Sequence, residues 1–105
     1  MPLQLVSFRA TVRDESLRPV HEQMVAGMRD LAEAIDGFVE WRAATDGRTY
    51  WGFVVFDSDE AAQSWKLHPD HGRIHREGEE SVYSEFRTQV FELVREASWQ
   101  RADDA

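Results

Sequence analysis

The seven residues Tyr50-Trp51-Gly52-Phe53-Val54-Val55-Phe56 run without a charged interruption, and no other stretch constrains the fold as tightly. A strand with one solvated face alternates apolar and polar side chains, so an unbroken run reads as a strand covered on both faces. Two residues before it stands Asp46-Gly47, a hairpin signal that makes Phe38–Ala44 the antiparallel neighbour of the strand Thr49–Phe56.

The remaining elements follow from periodicity. Leu3 to Val12 alternates, with Gln4, Val6, Phe8, Ala10 and Val12 on one side, and reads as a first strand. Leu17, Val20, Met24, Met28, Leu31 and Ile35 recur at spacings of three and four and predict a long amphipathic helix, with Ser16 as N-cap and Pro19 in its first turn. Asp57 or Ser58 caps a second helix, which Pro69 interrupts before a helical piece from Asp70 to about Glu80. A last strand runs from about Tyr83 to Arg95, and residues 99–105 read as a frayed tail. The order is βαββαβ, an α+β ferredoxin-like domain with a four-stranded antiparallel sheet. Its helices cover one face, so the other is expected to meet a second copy of the chain, making a homodimer through the sheet.

At 105 residues the chain makes one domain, residues 1–105. A net charge of −8 argues against a nucleic-acid partner, which needs clustered Lys and Arg. The absence of cysteine removes disulfides, thiolate nucleophiles and Cys-based metal sites. Met1 to Ala10 lacks the pattern of a secretion signal and no apolar stretch is long enough to span a bilayer, so no membrane partner and a cytoplasmic location are expected.

Chemistry concentrates between Ser58 and Glu96. Three of the four histidines, His68, His71 and His75, follow closely behind Trp65. On a helix His71 and His75 share a face with Ile74 and Gly78 and would converge on a pocket. As metal ligands these histidines have only Asp70 and Glu77 as local acids, so no metal site is expected.

The motif Trp-x-x-His-Pro-x-His (Trp65, His68, Pro69, His71), with Gly78, Tyr83, Arg87 and the closing Val94-Arg95-Glu96, resembles the antibiotic biosynthesis monooxygenase family. Gly37-Phe38-Val39 and the passage from Val54–Asp57 into Glu60-Ala61 are similar to that family too, so the resemblance spans nearly the whole chain. The His-Pro-x-His piece also resembles stress-responsive dimeric α/β-barrel proteins. The resemblance implies a dimeric α/β barrel with a pocket in each subunit between sheet and helices. It further implies a small hydrophobic or aromatic ligand: some members oxygenate aromatic polyketides without a cofactor, and others bind and degrade haem. Trp65 and His75 have the ten-residue spacing of the haem degraders, but the chain contains no Asn and Ser7 stands where theirs would be. What the resemblance leaves for haem is binding through His75.

Triplet oxygen reacts slowly with ordinary organic molecules, so an oxygenase without flavin or metal needs an electron-rich substrate, such as a hydroxylated aromatic, that becomes reactive on deprotonation. A histidine could promote that step, and Trp65 would hold a flat ring. The activity the resemblance implies is a cofactor-independent monooxygenase, with His75 and Trp65 as the expected catalytic residues. The alternative is a non-catalytic dimer that binds a hydrophobic ligand or haem. His68, His71, His21, Tyr83 and Arg87 are the further ligand-binding candidates, Tyr83 and Arg87 at the pocket mouth.

Each has a plainer reading. Trp65 would anchor a helix to the sheet, His68 would satisfy backbone groups freed at Pro69, and His71 would face solvent. His21 would sit at the edge of the first helix's apolar stripe, Tyr50, Trp41 and Trp51 would pack at the sheet or dimer seam, and Glu77, Glu79 and Glu80 would form a solvated face.

Overall fold

The computed structural model describes residues 2–104, without the side chain of Asp104; Met1 and Ala105, the first residue of the expected leader-free start and the last of the expected tail, lie outside the described residues. The elements are β1 (Gln4–Val12), a 3-10 turn (Glu15–Leu17), α1 (Arg18–Glu33), β2 (Phe38–Asp46), β3 (Thr49–Phe56), α2 (Asp59–Lys66), α3 (Pro69–Glu77), a π turn (Gly78–Val82) and β4 (Tyr83–Glu92). The sheet is antiparallel in the order β2-β3-β1-β4, the ferredoxin-like arrangement expected from the βαββαβ order.

Turn chemistry fixes the corners. Gly37 and Gly47 take positive φ, 106° and 61°, which a side chain would resist; the first lies in the turn from α1 into β2 and the second turns the β2–β3 hairpin. Ser58 accepts the amide N–H of Ala61 and caps α2. At the helix start after β1 the cap is Asp14, whose carboxylate accepts the Ser16 amide, in place of Ser16 itself. β4 ends at Glu92, short of Arg95, and residues 93–101 carry no regular structure before a 3-10 turn at Ala102–Asp104.

Register sets the two faces of the sheet. Val6, Phe8 and Ala10 of β1 stand opposite Val54, Gly52 and Tyr50 of β3 and opposite Val90, Thr88 and Phe86 of β4, and this set faces the helices. The intervening residues form the outer face: Leu5, Ser7 and Arg9 beside Val55, Phe53 and Trp51, and beside Phe91, Gln89 and Arg87. β3 is thus apolar on both sides, as its run requires. In the single chain the outer side is only half covered, with Trp51 48% and Phe91 51% exposed.

The interior falls into two clusters. At one end Val6, Ala32, Trp41, Val54, Phe56, Ala61, Ala62 and Trp65 pack together; at the other, Val12, Met24, Ile74 and Val82 do so. Met28 and Leu31 of α1 touch both. No helix among the described residues is long and apolar enough to cross a membrane.

Candidate functional site

Between the two clusters lies a cavity of about 620 Å³, within the range of small-molecule sites, bounded by the inner face of the sheet and by all three helices. Its walls are aromatic. Beginning at Phe8, ring contacts run to Tyr50 (5.7 Å between centroids), His21 (4.9 Å), Tyr83 (5.5 Å), Phe86 (6.1 Å), His75 (4.6 Å), His71 (6.3 Å), Trp65 (4.5 Å), Trp41 (6.2 Å) and back to Phe8 (5.0 Å). The nine rings close on themselves, and every strand and every α-helix supplies at least one. All but His21 line the cavity. Alternation explains the strand members, since Phe8, Trp41, Tyr50 and Phe86 occupy inward positions of four paired strands.

Trp65 is buried, and its indole N–H donates to the Met28 carbonyl at 3.0 Å. That bond occupies the only polar group of the side chain, so Trp65 offers a ligand ring surface and no proton. It anchors the helix and walls the cavity at once.

The histidines separate into distinct roles. His68 caps α3: its Nδ1 accepts the Asp70 amide N–H at 3.1 Å. It does not line the cavity, so the structure removes it from the ligand-binding candidates; the break at Pro69 needed a cap for amides, not for carbonyls. His71 turns inward against Trp65 instead of facing solvent. Burial chiefly, then the neighbouring His75, Lys66 and His68, brings its pKa down to about 4, so the ring is neutral at physiological pH. His75 lines the same wall, stacked on His71 with 15° between planes, and its Nδ1 lies 2.9 Å from Glu79 Oε1.

At the other end, His21 is buried and its Nδ1 shares a hydrogen bond of 2.7 Å with the Tyr83 hydroxyl. Burial first, then Arg18, lowers the His21 pKa, against a smaller opposing effect from Glu22. Burial pushes Tyr83 up to about 12 and raises Tyr50 as well, so both phenols stay protonated. His21 therefore stands behind Tyr83, holding it, while Tyr83 itself meets the cavity.

Arg87, expected at the pocket mouth, is on the outer face. The register places it opposite Arg9, and it borders Trp51 in a shallow groove on that side. Since Tyr83 faces the helices and β4 alternates, a side chain four residues on would share its face; the register shift between Thr11 and Val12 changes that parity. Tyr50 and Trp41, read as seam residues, line the cavity, and of the three only Trp51 lies on the outer face. Phe8, Phe86 and Glu79 were not singled out in the sequence. The inward alternation of β1 was a signal for Phe8; Phe86 turns inward through the same irregularity against β1, and Glu79 reaches His75 from the π turn, neither of which leaves a mark in the composition.

Among the described residues no group of three or more His, Asp or Glu side chains is arranged to hold a metal ion. The fold and the cavity together define a small α+β protein with an aromatic chamber on the helix side of its sheet. The sequence matches no protein-family model and no curated protein. Solved structures share the fold. The Mycobacterium tuberculosis protein Rv0793 superposes with a TM-score of 0.77 at 19% identity, over 91% of this chain and 99% of that one. SnoaB, a cofactor-independent oxygenase from Streptomyces nogalater, gives 0.76 at 14% identity over 92% and 97%. A Nitrosomonas europaea protein provisionally named an antibiotic biosynthesis monooxygenase gives 0.74 at 5% identity over 88% and 90%. The chain shares the fold of these three proteins, one of them provisionally named for the family that the Trp65–His71 motif resembles.

Proposed function

We propose that the chain is a small oxygenase of an aromatic or quinol-like compound, working without a bound cofactor in the cavity between sheet and helices. The observation that carries this reading is the closed belt of rings with two histidines on one wall: an apolar chamber that suits a flat molecule and sets imidazole nitrogen beside it. The likeness to SnoaB supports the same chemistry. In this reading Trp65 and Trp41 hold the ring system, His75 takes the proton that makes the substrate electron-rich enough to reduce oxygen, and neutral His71 and Tyr83 hydrogen-bond to its polar groups.

The test is oxygen uptake in metal-free buffer with a panel of quinols and anthrones, in wild type and in His75→Ala. Turnover that the variant loses while keeping its fold supports the proposal, and no uptake across the panel sinks it. The alternative, a non-catalytic binder of haem or another apolar ligand, draws on the same chamber, with His75 as the axial nitrogen. Hemin titration decides it, because ligation by His75 shifts the Soret band and an unshifted band rejects it.

The outer face supports a homodimer. Trp51, Phe53, Leu5 and Phe91 form an apolar surface on the side away from the helices, and a second copy is the cover this reading assigns to it.

A further inference from the structure

We propose that Glu79 is the positioning residue for His75, and that the pair is the proton acceptor for the acidic O–H of a phenol or enol bound in the cavity. The proposal rests on the aromatic-binding reading above and adds to it a residue outside the belt.

Glu79 stands in the π turn that follows α3, with Oε1 2.9 Å from His75 Nδ1. When His75 is neutral this contact is an Nδ1–H donated to the carboxylate, which fixes the tautomer and leaves the Nε2 lone pair as the acceptor of the ring. Glu79 is exposed, as a solvated face requires, yet helix stability does not account for the pairing. An anion at the carboxyl end of a helix opposes the dipole, and an acid four residues after its basic partner is the weaker of the two orientations. A carboxylate behind an imidazole whose other nitrogen accepts a proton does account for it, because the carboxylate holds the ring and stabilises the imidazolium as it forms.

The surroundings favour the transfer. His75 touches His71 within α3 and Phe86 of β4, while Arg76 of α3, Lys66 and Asp59 of α2 and Tyr83 of β4 also line the chamber. His71, neutral through burial, sets no positive charge against an imidazolium at His75, and Lys66 and Arg76 are cations that favour a phenolate. In the step, the ligand's O–H bond breaks and an Nε2–H bond forms. The ligand becomes a phenolate, His75 becomes an imidazolium paired with the Glu79 carboxylate, and no electrons leave either partner.

The full chain and 2-naphthol test this without turnover. Quenching of tryptophan fluorescence reads binding, and the naphtholate absorption band reads ionisation. The expected result is a naphtholate band from the bound probe at neutral pH, where the free compound shows none, because the proton stays on His75. Glu79→Gln, which keeps an acceptor for Nδ1–H but removes the charge that stabilises the imidazolium, should cost at least about half of that band, and His75→Gln all of it. Nitrogen NMR should show His75 in the Nδ1–H tautomer in wild type and a mixture in Glu79→Ala. Equal naphtholate bands in wild type and Glu79→Gln would overturn the role of Glu79, and failure of 2-naphthol to bind would overturn the cavity reading beneath it.

Discussion

The indole N–H of Trp65 reaches the main-chain carbonyl of Met28 at 3.0 Å, so the second helix is tied to the middle of the first across the same chamber that its ring lines. Met28 also packs against both interior clusters, which makes this bond a link between the two halves of the core. Trp65→Phe should keep a wall but lose the bond, destabilising the fold by about 1 kcal/mol, whereas Trp65→Ala should cost about 3–5 kcal/mol. Urea unfolding distinguishes them, and equal losses would show that the bond and the ring do not act separately.

His71 makes stability depend on pH. Its pKa is about 4 in the folded chain against 6.5 for the free side chain, so between these values the unfolded chain binds the extra proton. The contribution is complete above pH 6.5 and declines as the pH falls toward 4, a loss on the order of 2–3 kcal/mol at one unit per 1.36 kcal/mol, with partial exposure taken into account. His71→Phe should flatten the difference in urea midpoint over that window. A variant that tracks wild type from pH 7 to 4.5 would refute the assignment.

The His21–Tyr83 hydrogen bond should behave as a unit. Tyr83→Phe leaves a buried imidazole nitrogen unpaired, at a cost of about 1–3 kcal/mol, and His21→Phe strands the phenol instead. The double variant should lose less than the sum of the two, with a coupling of about 1 kcal/mol in a double-mutant cycle. Additive losses would mean that the 2.7 Å contact adds nothing to stability.

Gly78 opens the π turn with no room to spare. A Cβ there would stand 2.8 Å from the Tyr83 ring and 3.1 Å from the Met24 methyl. Gly78→Ala should therefore push Tyr83 off His21 and destabilise by about 1–3 kcal/mol, with ligand affinity falling in parallel. An alanine variant with wild-type melting temperature and affinity would show that the ring moves freely.

Trp51 tests the outer face. Trp51→Glu sets a charge at the centre of the apolar patch and should give a monomer in sedimentation if two sheets meet there. A dimer that survives the change would place the interface elsewhere.

The backbone was legible in the sequence because its signals are local. Asp46-Gly47 marks the hairpin, the spacing from Leu17 to Ile35 marks α1, and the uninterrupted Tyr50–Phe56 run marks a strand with two apolar faces. The site was legible only where a residue's role followed from its own element, as with Trp65 and with the His71–His75 pair on one helical face. Arg87 fell on the wrong side because one irregularity against β1 reverses the parity of β4, and parity is a property of pairing between distant segments. His68 was misread because a proline break leaves amides as well as carbonyls without partners, and the sequence does not say which a neighbouring side chain will meet. Glu79 passed as surface charge because its partnership with His75 depends on how the chain leaves α3.

The closed belt of rings has a further consequence. Its members draw on both interior clusters, Phe8, Trp41 and Trp65 at one end and Tyr83 at the other, so the protein's interior is a frame around an open centre. A molecule that enters occupies the position of a missing core side chain, touching every strand and α-helix at once. Ligand binding and folding are then one equilibrium, and occupancy at a hundred times the dissociation constant should add about 2.7 kcal/mol to stability. Melting temperature becomes a screen for the proposed ligand: the compound that raises it most is the one that completes the fold.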